Sequence, residues 1–296
     1  MPLPYRHLTS VLLRREGELF LFDAGEATQI SIRRLNLRWK KITAIFISHM
    51  HADHVTGLPG ILMLSSQVDR EEPLYIFGPP KIAEFVEQTR RSLDMYINYE
   101  IIVNEFSEPG TLWEQDDFII RSFFLKHTKP CYGYTLEERP RPGAFHPEKA
   151  MALGVPRGPL WSLLQGGQEL VLDNGNVVKP EDVLGPTRSG RKFSYLTDSL
   201  YFPEIAREVR NSDLFICEGM FEEALLPSAV EKRHMTARQA ALLAKAAGGV
   251  KQLGLIHYSP RYADKELKVL LKEAQEVFPS TVLTRDRMQF PIEYID

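Results

Sequence analysis

His49-Met50-His51-Ala52-Asp53-His54 follows the apolar run Ile42-Thr43-Ala44-Ile45-Phe46-Ile47-Ser48 and leads straight into Val55-Thr56-Gly57-Leu58-Pro59-Gly60. The β-branched run reads as a buried strand, and the Gly and Pro after Val55 read as the start of a helix, so the six residues fall in a strand-to-helix loop. Loops carried on a rigid scaffold are where ligands sit. Three imidazoles and a carboxylate converging in one turn cannot be buried cheaply unless something pairs them. Together they suit zinc, manganese or iron, and they are too many for one closed site that also takes distant ligands. Two metals are the direct reading; the alternative is a set of surface polar side chains on an ordinary loop.

The rest of the composition sets bounds. The chain has 296 residues, 44% hydrophobic and 25% charged, which describes a globular α/β domain with ample core and room for an insertion. A formal charge of -3 gives no global field for a polyanion, so nucleic-acid binding would need a local basic patch. Met1 to His7 contains no apolar stretch of signal-peptide length, and nowhere do eighteen apolar residues run together, which predicts no membrane partner and a cytoplasmic protein. Cys131 and Cys217, the two cysteines, lack any CxxC partner, so neither a disulfide framework nor a thiolate zinc site is indicated.

Along the chain, Thr9–Arg14 and Glu18–Asp23 read as a hairpin around Arg15-Glu16-Gly17, and the segment after Asp23 reads as a helix with a cationic face between Arg33 and Lys40. Leu74–Pro80 reads as a strand and turn, Lys81–Leu93 as an amphipathic helix, and Phe118–Leu125 as a strand with His127 at its end. Residues 137–191 break the rhythm with nine or more Pro and Gly positions and a hairpin turned at Asp173-Asn174-Gly175, which looks like an inserted arm of nearly neutral charge within a single domain spanning 1–296. Lys192–Leu196 is a strand running to Thr197-Asp198-Ser199, where a carboxylate at a strand end suits a residue bridging two metals or, more blandly, a helix cap near Pro203. Leu214–Met220 is a buried strand finishing at Glu218; Thr236 caps an Ala/Leu-rich helix over Ala237–Ala247; Leu253–Ile256 delivers His257; and a last helix, Asp264–Val277, precedes a pair of strands. Two halves that are each β-rich and then helical fit an αββα sandwich.

The HxHxDH pattern resembles the metallo-β-lactamase superfamily, and SHMHADHVTGLPG (Ser48–Gly60) resembles ribonuclease Z within it. The resemblance extends over nearly the whole chain: a GEATQ-type turn at Gly25–Gln29, HTKPCYGY from His127, ALGVPRGPLWSLLQGG at Ala152–Gly167, His234-Met235-Thr236 where the family has His-Ser-Thr, and the HxSxRY form from His257. Cys217-Glu218-Gly219-Met220 departs from the family's HEAT, keeping the Glu and losing the His.

The resemblance implies an αββα fold with an inserted substrate-binding arm and a metal-dependent phosphodiesterase that removes tRNA 3′ trailers with a hydroxide held between two divalent ions, zinc by family habit. It implies His49, His51 and His127 on one ion, Asp53, His54 and His257 on the other, and Asp198 bridging. Asp53, His234, Glu218 and Arg261 would be the catalytic residues, His234 as general acid oriented by Glu218 and Arg261 binding the scissile phosphate. Gly158 and Pro159 would contribute with Arg261 to substrate binding, precursor tRNA would be the partner, and the protein would be a homodimer. Two other readings stay open: a small-molecule phosphodiesterase or other hydrolase on the same site, favoured by the acidic balance and the CEGM departure, and a non-catalytic RNA-binding scaffold.

Overall fold

Alternation along the strands decides what each sheet face meets. The computed structural model describes residues 3–68 and 70–294; Met1 and Pro2, at the head of the N-terminal stretch read above, lie outside them, as do Asp69, Ile295 and Asp296. The first sheet runs β1 (Val11–Arg15), β2 (Glu18–Phe22), β3 (Ile42–Phe46), β4 (Leu74–Gly78) and β5 (Ile101–Glu105), in that order. β1 and β2 form the antiparallel hairpin, and β2 to β5 are parallel. Parallel neighbours need crossover connections, and the helices Thr28–Arg34, Leu58–Ser66 and Ile82–Ser92 supply them. Leu19, Leu21, Ile42, Ile45 and Ile47 pack against Ile32, Leu58, Ile61, Leu62, Ile82 and Val86 of those helices.

Next come β6 (Thr111–Glu114), β7 (Phe118–Leu125) and β8 (Cys131–Glu138); a small hairpin of β9 (Leu170–Val171) and β10 (Val177–Val178); and then β11 (Lys192–Leu196), β12 (Leu214–Glu218), β13 (Gln252–Ile256) and β14 (Thr281–Leu283). The second sheet has the order β14-β13-β12-β11-β8-β7-β6, with β11 to β14 parallel. One face of it buries Phe215, Cys217, Leu253 and Leu255 against Ala237–Ala247 and Leu267–Gln275. The other meets the first sheet through rings: Phe22 lies 5.3 Å from Phe193 and 5.8 Å from Tyr195, and Phe46 lies 5.5 Å from Tyr134. Helices outside two facing sheets make the αββα sandwich. Because β2 and β3 run parallel in the first sheet and β11 to β13 in the second, Asp23, Ser48, Asp198, Glu218 and His257 all stand at or just beyond the carboxyl ends of their strands.

Three readings are corrected. Ala52–Val55 is a short helix, so half of the HMHADH stretch is helical rather than loop. β5, β6 and β8 are strands that the sequence reading above does not include. The C-terminal strand pair reduces to β14 alone among the described residues, since Pro291 and the turn before it leave no run able to pair.

The chain divides into two compact units, the first comprising residues 1–114, 120–136 and 192–292, the second 115–119, 137–191 and 293–296. The second, which contains the stretch read as an inserted arm, has secondary structure and a core of its own. It holds the helices Pro147–Ala152, Pro159–Gln165 and Pro180–Val183, each opening on proline, whose missing N–H costs nothing at a first helical position. Ala150, Val155, Leu164, Leu170, Val178 and Val183 form its own buried cluster. Its base is a neck, where Arg141 and Arg188 exchange backbone hydrogen bonds of 2.7 and 3.0 Å and a Cβ on Gly143 would fall 2.0 Å from the Gly185 carbonyl oxygen.

Candidate metal centre

Among the described residues, three sets of side chains have donor atoms close enough to share a cation: His49, His51, His127 and Asp198; Asp53, His54 and His257; and Asp198, His234 and His257. The distances carry a geometric signature. In the first set His49 Nε2 is 2.9 Å from His51 Nδ1, His127 Nε2 is 3.2 Å from His51 Nδ1, and Asp198 Oδ2 is 3.6 and 3.7 Å from the His49 and His127 Nε2 atoms. In the second, Asp53 Oδ2 is 3.6 Å from His54 Nε2 and 3.3 Å from His257 Nε2, while Asp198 Oδ1 is 3.5 and 3.4 Å from the same two nitrogens. Donors about 2.1 Å from a tetrahedral ion lie about 3.4 Å from one another, and both sets match that spacing. The two oxygens of Asp198 face opposite sets, which is the disposition of a bridging carboxylate.

Two further observations fit cations at these points. His54 Nε2 is buried and has no hydrogen-bond partner, and a buried imidazole nitrogen facing two carboxylates calls for a positive charge there, a cation between them or a proton on the ring. Burial, the largest influence, and the neighbouring His54 hold the His49 imidazole down at about 2, so its Nε2 keeps a free lone pair. Burial opposes ionisation of Asp198, yet His257, His54 and His49 outweigh it and hold the carboxyl well below the usual range.

Outer ring nitrogens are tied off at three of the histidines, which aims the inner ones, whereas His257 Nδ1 is buried without a hydrogen-bond partner. His54 Nδ1 donates to Asp23 Oδ2 at 2.7 Å, Ser48 Oγ accepts from His49 Nδ1 at 3.0 Å, and His127 Nδ1 donates to the Arg233 carbonyl at 3.0 Å. Asp23, fully buried, also accepts from Ser48 N at 2.7 Å, Ser48 Oγ at 2.8 Å and the Tyr195 hydroxyl at 2.6 Å. Asp23, Ser48 and Tyr195 were not singled out from the sequence; the available signal was that Asp23 ends an apolar strand as Asp198 does. The turn that follows Asp23 presses on the helix after the HMHADH stretch: a Cβ on Gly57 would fall 2.1 Å from the Gly25 carbonyl oxygen. His257 has φ +61°, a conformation that costs about 1–3 kcal/mol in a residue other than glycine and persists only where the surroundings impose it.

Beside the two sets stands a carboxylate–imidazole pair. Glu218 Oε2 accepts from His234 Nδ1 at 3.0 Å, and Glu218 Oε1 accepts from Ser199 N at 2.6 Å. Burial works against charge on His234, but Glu218 outweighs it and raises the imidazole to about 9. Its ring lies 5.1 and 5.5 Å from those of His127 and His257. Arg261 is exposed, with its guanidinium carbon 5.1 Å from the centre of the Phe221 ring, itself 6.4 Å from His234. Gly158 and Pro159 belong to the second unit, as the cap and first residue of a helix. Cys217, where the family's histidine is lost, is buried in the apolar cluster on the helix side of β12.

Comparison with known proteins agrees with this architecture. The family described as Anti-Pycsar protein Apyc1 matches residues 5–138. A solved structure of human tRNase Z, short form, superposes with a TM-score of 0.70 at 25% identity, covering 99% of this chain and 95% of that one. The Bacillus subtilis metallo-beta-lactamase fold protein YhfI, at a TM-score of 0.64 and 20% identity over 96% of this chain and 92% of its own, shares the fold. A protein of Treponema denticola named Ribonuclease Z is 67% identical over 296 residues, all of this chain and 96% of its own length. The Ribonuclease Z of Borrelia hermsii is 43% identical over 297 residues, 97% of this chain and 92% of its own. With relatives so named matched from end to end and the same fold beneath them, the chain belongs to the ribonuclease Z family.

Proposed function

We propose that the protein is a metal-dependent endoribonuclease that cleaves precursor tRNA at its 3′ trailer, using two cations held by the sets described above. The observation that carries this reading is the pair of tetrahedrally spaced donor sets sharing Asp198, on a chain whose relatives are named Ribonuclease Z over its full length. His49, His51, His127 and Asp198 would hold one ion; Asp53, His54, His257 and Asp198 the other. Bound there, two divalent ions would supply Lewis acidity toward a phosphodiester and lower the pKa of water.

The chain's own residues account for the rest. Arg261, fixed at its base and exposed at its tip, is placed to pair with a phosphate through two N–H groups. His234, whose protonated form Glu218 favours, is placed to give a proton to the departing oxygen, and an alkoxide without such a donor leaves slowly. Residues 137–191 act as an arm that contacts the body of a large substrate, with Gly158 and Pro159 at the start of one of its helices. Zinc as the ion, a homodimer and a cytoplasmic location rest on the family resemblance; among the described residues no helix is long and apolar enough to cross a membrane.

Metal analysis tests the reading. The wild type purified without chelator should carry about two transition-metal ions per chain, because seven donors exceed what one tetrahedral ion takes. Asp198→Asn should lower metal content and turnover together and by more than His51→Ala, since Asp198 alone faces both sets. A wild type with no bound metal, or an Asp198→Asn variant with undiminished metal, would remove the dinuclear centre.

A further inference from the structure

The strained conformation of His257 and the placement of Arg261 raise the question of what holds residues 257–262. The loop is tied to the strand ends beside it and to itself: the Tyr258 hydroxyl donates to the Leu255 carbonyl, Ser259 N donates to Met220 O at 3.2 Å, and Tyr262 N donates to Ser259 O at 3.2 Å. Its outer side is met by a residue far away in sequence. Arg6 Nη2 donates to the carbonyls of Ser259 at 3.3 Å and Tyr262 at 3.1 Å, one on each side of Arg261, and the guanidinium carbon lies 5.8 Å from the centre of the Tyr258 ring. Arg6 Nη1 is buried as well and has no partner, so the contacts of the guanidinium are those made with this loop by Nη2 and by its approach to the Tyr258 ring.

Arg6 is itself anchored. Its backbone exchanges hydrogen bonds with Leu3 at 2.9 and 3.1 Å; His7 N donates to Asp286 at 3.1 Å; and two residues on, Thr9 O accepts from Gly25 N at 2.9 Å. The segment 6–9 therefore ties the His257–Tyr262 loop to the turn after Asp23, which backs the HMHADH stretch.

We infer that Arg6 is a positioning residue of the centre: by bridging the carbonyls of Ser259 and Tyr262 it fixes His257 in the second donor set and sets the base from which Arg261 projects. The inference rests on the proposed metal reading, and it assigns to one guanidinium a selective effect. Arg6 touches only the loop of the second set, so its removal should loosen one ion and leave the ion of His49, His51 and His127 in place.

The test uses the full chain with Arg6→Ala, stripped of metal and titrated with cobalt(II) while its visible absorption is followed, with hydrogen exchange of the 258–262 amides measured alongside. Loss of a direct outer partner of a ligand typically weakens metal affinity about 10–100-fold, and Arg6 acts one step further out, on the backbone that follows His257, which points to the lower end of that range. The second cobalt ion should therefore bind at least about tenfold more weakly, the first should bind as in wild type, the 258–262 amides should exchange faster, and millimolar guanidinium should restore the second ion's affinity. KM for a chromogenic phosphodiester should rise with the loosened Arg261 and fall again on adding guanidinium. Equal weakening of both ions would mark a general loss of stability and overturn the inference, as would unchanged binding of both with unchanged exchange. If the wild type itself takes up no second ion, the metal reading fails, and the exchange of the 258–262 amides, with and without guanidinium, still decides whether Arg6 holds the loop.

Discussion

His234 shows how one side chain is given a task by its neighbours. Glu218 fixes its Nδ1 and favours the protonated ring, while Nε2 makes no hydrogen bond among the described residues, so the proton there is free to be given away. A positioned general acid contributes roughly 10²–10⁴ in rate when the leaving group is a poor one. His234→Ala should therefore lose activity in that range on a ribose 3′-oxygen leaving group and lose almost nothing on nitrophenolate, with bound metal constant. Equal losses on both substrates would assign His234 to phosphate binding or loop support. The HMHADH stretch displayed four of the donors by their convergence in one turn and Asp198 by its place at a strand end, whereas His127 and His257 came from the family resemblance. The sequence did not display Asp23, Ser48 and Tyr195, whose work lies in a four-bond network on Asp23 that joins the ends of neighbouring strands and, through Tyr195, the second sheet.

At the scale of elements, the helix Ala237–Ala247 illustrates what local chemistry decides. Thr236 Oγ1 accepts from Gln239 N at 3.2 Å, Gln239 answers by accepting from Thr236 N at 3.1 Å, and the Thr236 hydroxyl also donates to Glu223 at 2.7 Å. The cap sits two residues after His234, so it also sets where that ring enters the site. Thr236→Ala should cost about 1 kcal/mol for the cap, read as a lower denaturant midpoint at unchanged slope. An unchanged midpoint would show that the first turn is held by its burial instead. This helix and its cap were legible because the signal is short-range. β8 was not: Cys131-Tyr132-Gly133-Tyr134 becomes a strand through partners distant in sequence, with Tyr132 N donating to Ser48 O and the Tyr134 hydroxyl to Ile47 O. Gly133 is needed there because a Cβ would fall 2.3 Å from the Phe123 ring, a contact invisible in a single sequence.

For the molecule as a whole, residues 137–191 read as a Pro/Gly-rich insertion, and their helices escaped notice because each is shorter than two full turns and buries only a few side chains. The neck at Gly143 and Gly185 offers a clean excision: residues 144–184 can be replaced by a short Gly-Ser link between backbones that already touch. If the arm contacts substrate phosphates, the excised protein should cleave precursor tRNA at least about tenfold less well, and the intact protein's affinity should fall steeply with salt. A chromogenic phosphodiester that needs only the centre should be turned over as before, and equal losses on both substrates would remove the arm from recognition. The central claim is tested most directly by incubating the purified, metal-loaded protein with end-labelled precursor tRNA and mapping the product ends. A single cut that frees the trailer, leaves a 3′-hydroxyl on the tRNA, stops on chelation and resumes with added divalent metal is the expected result. Precursor tRNA left intact under every metal, by protein that hydrolyses the chromogenic diester, would contradict it.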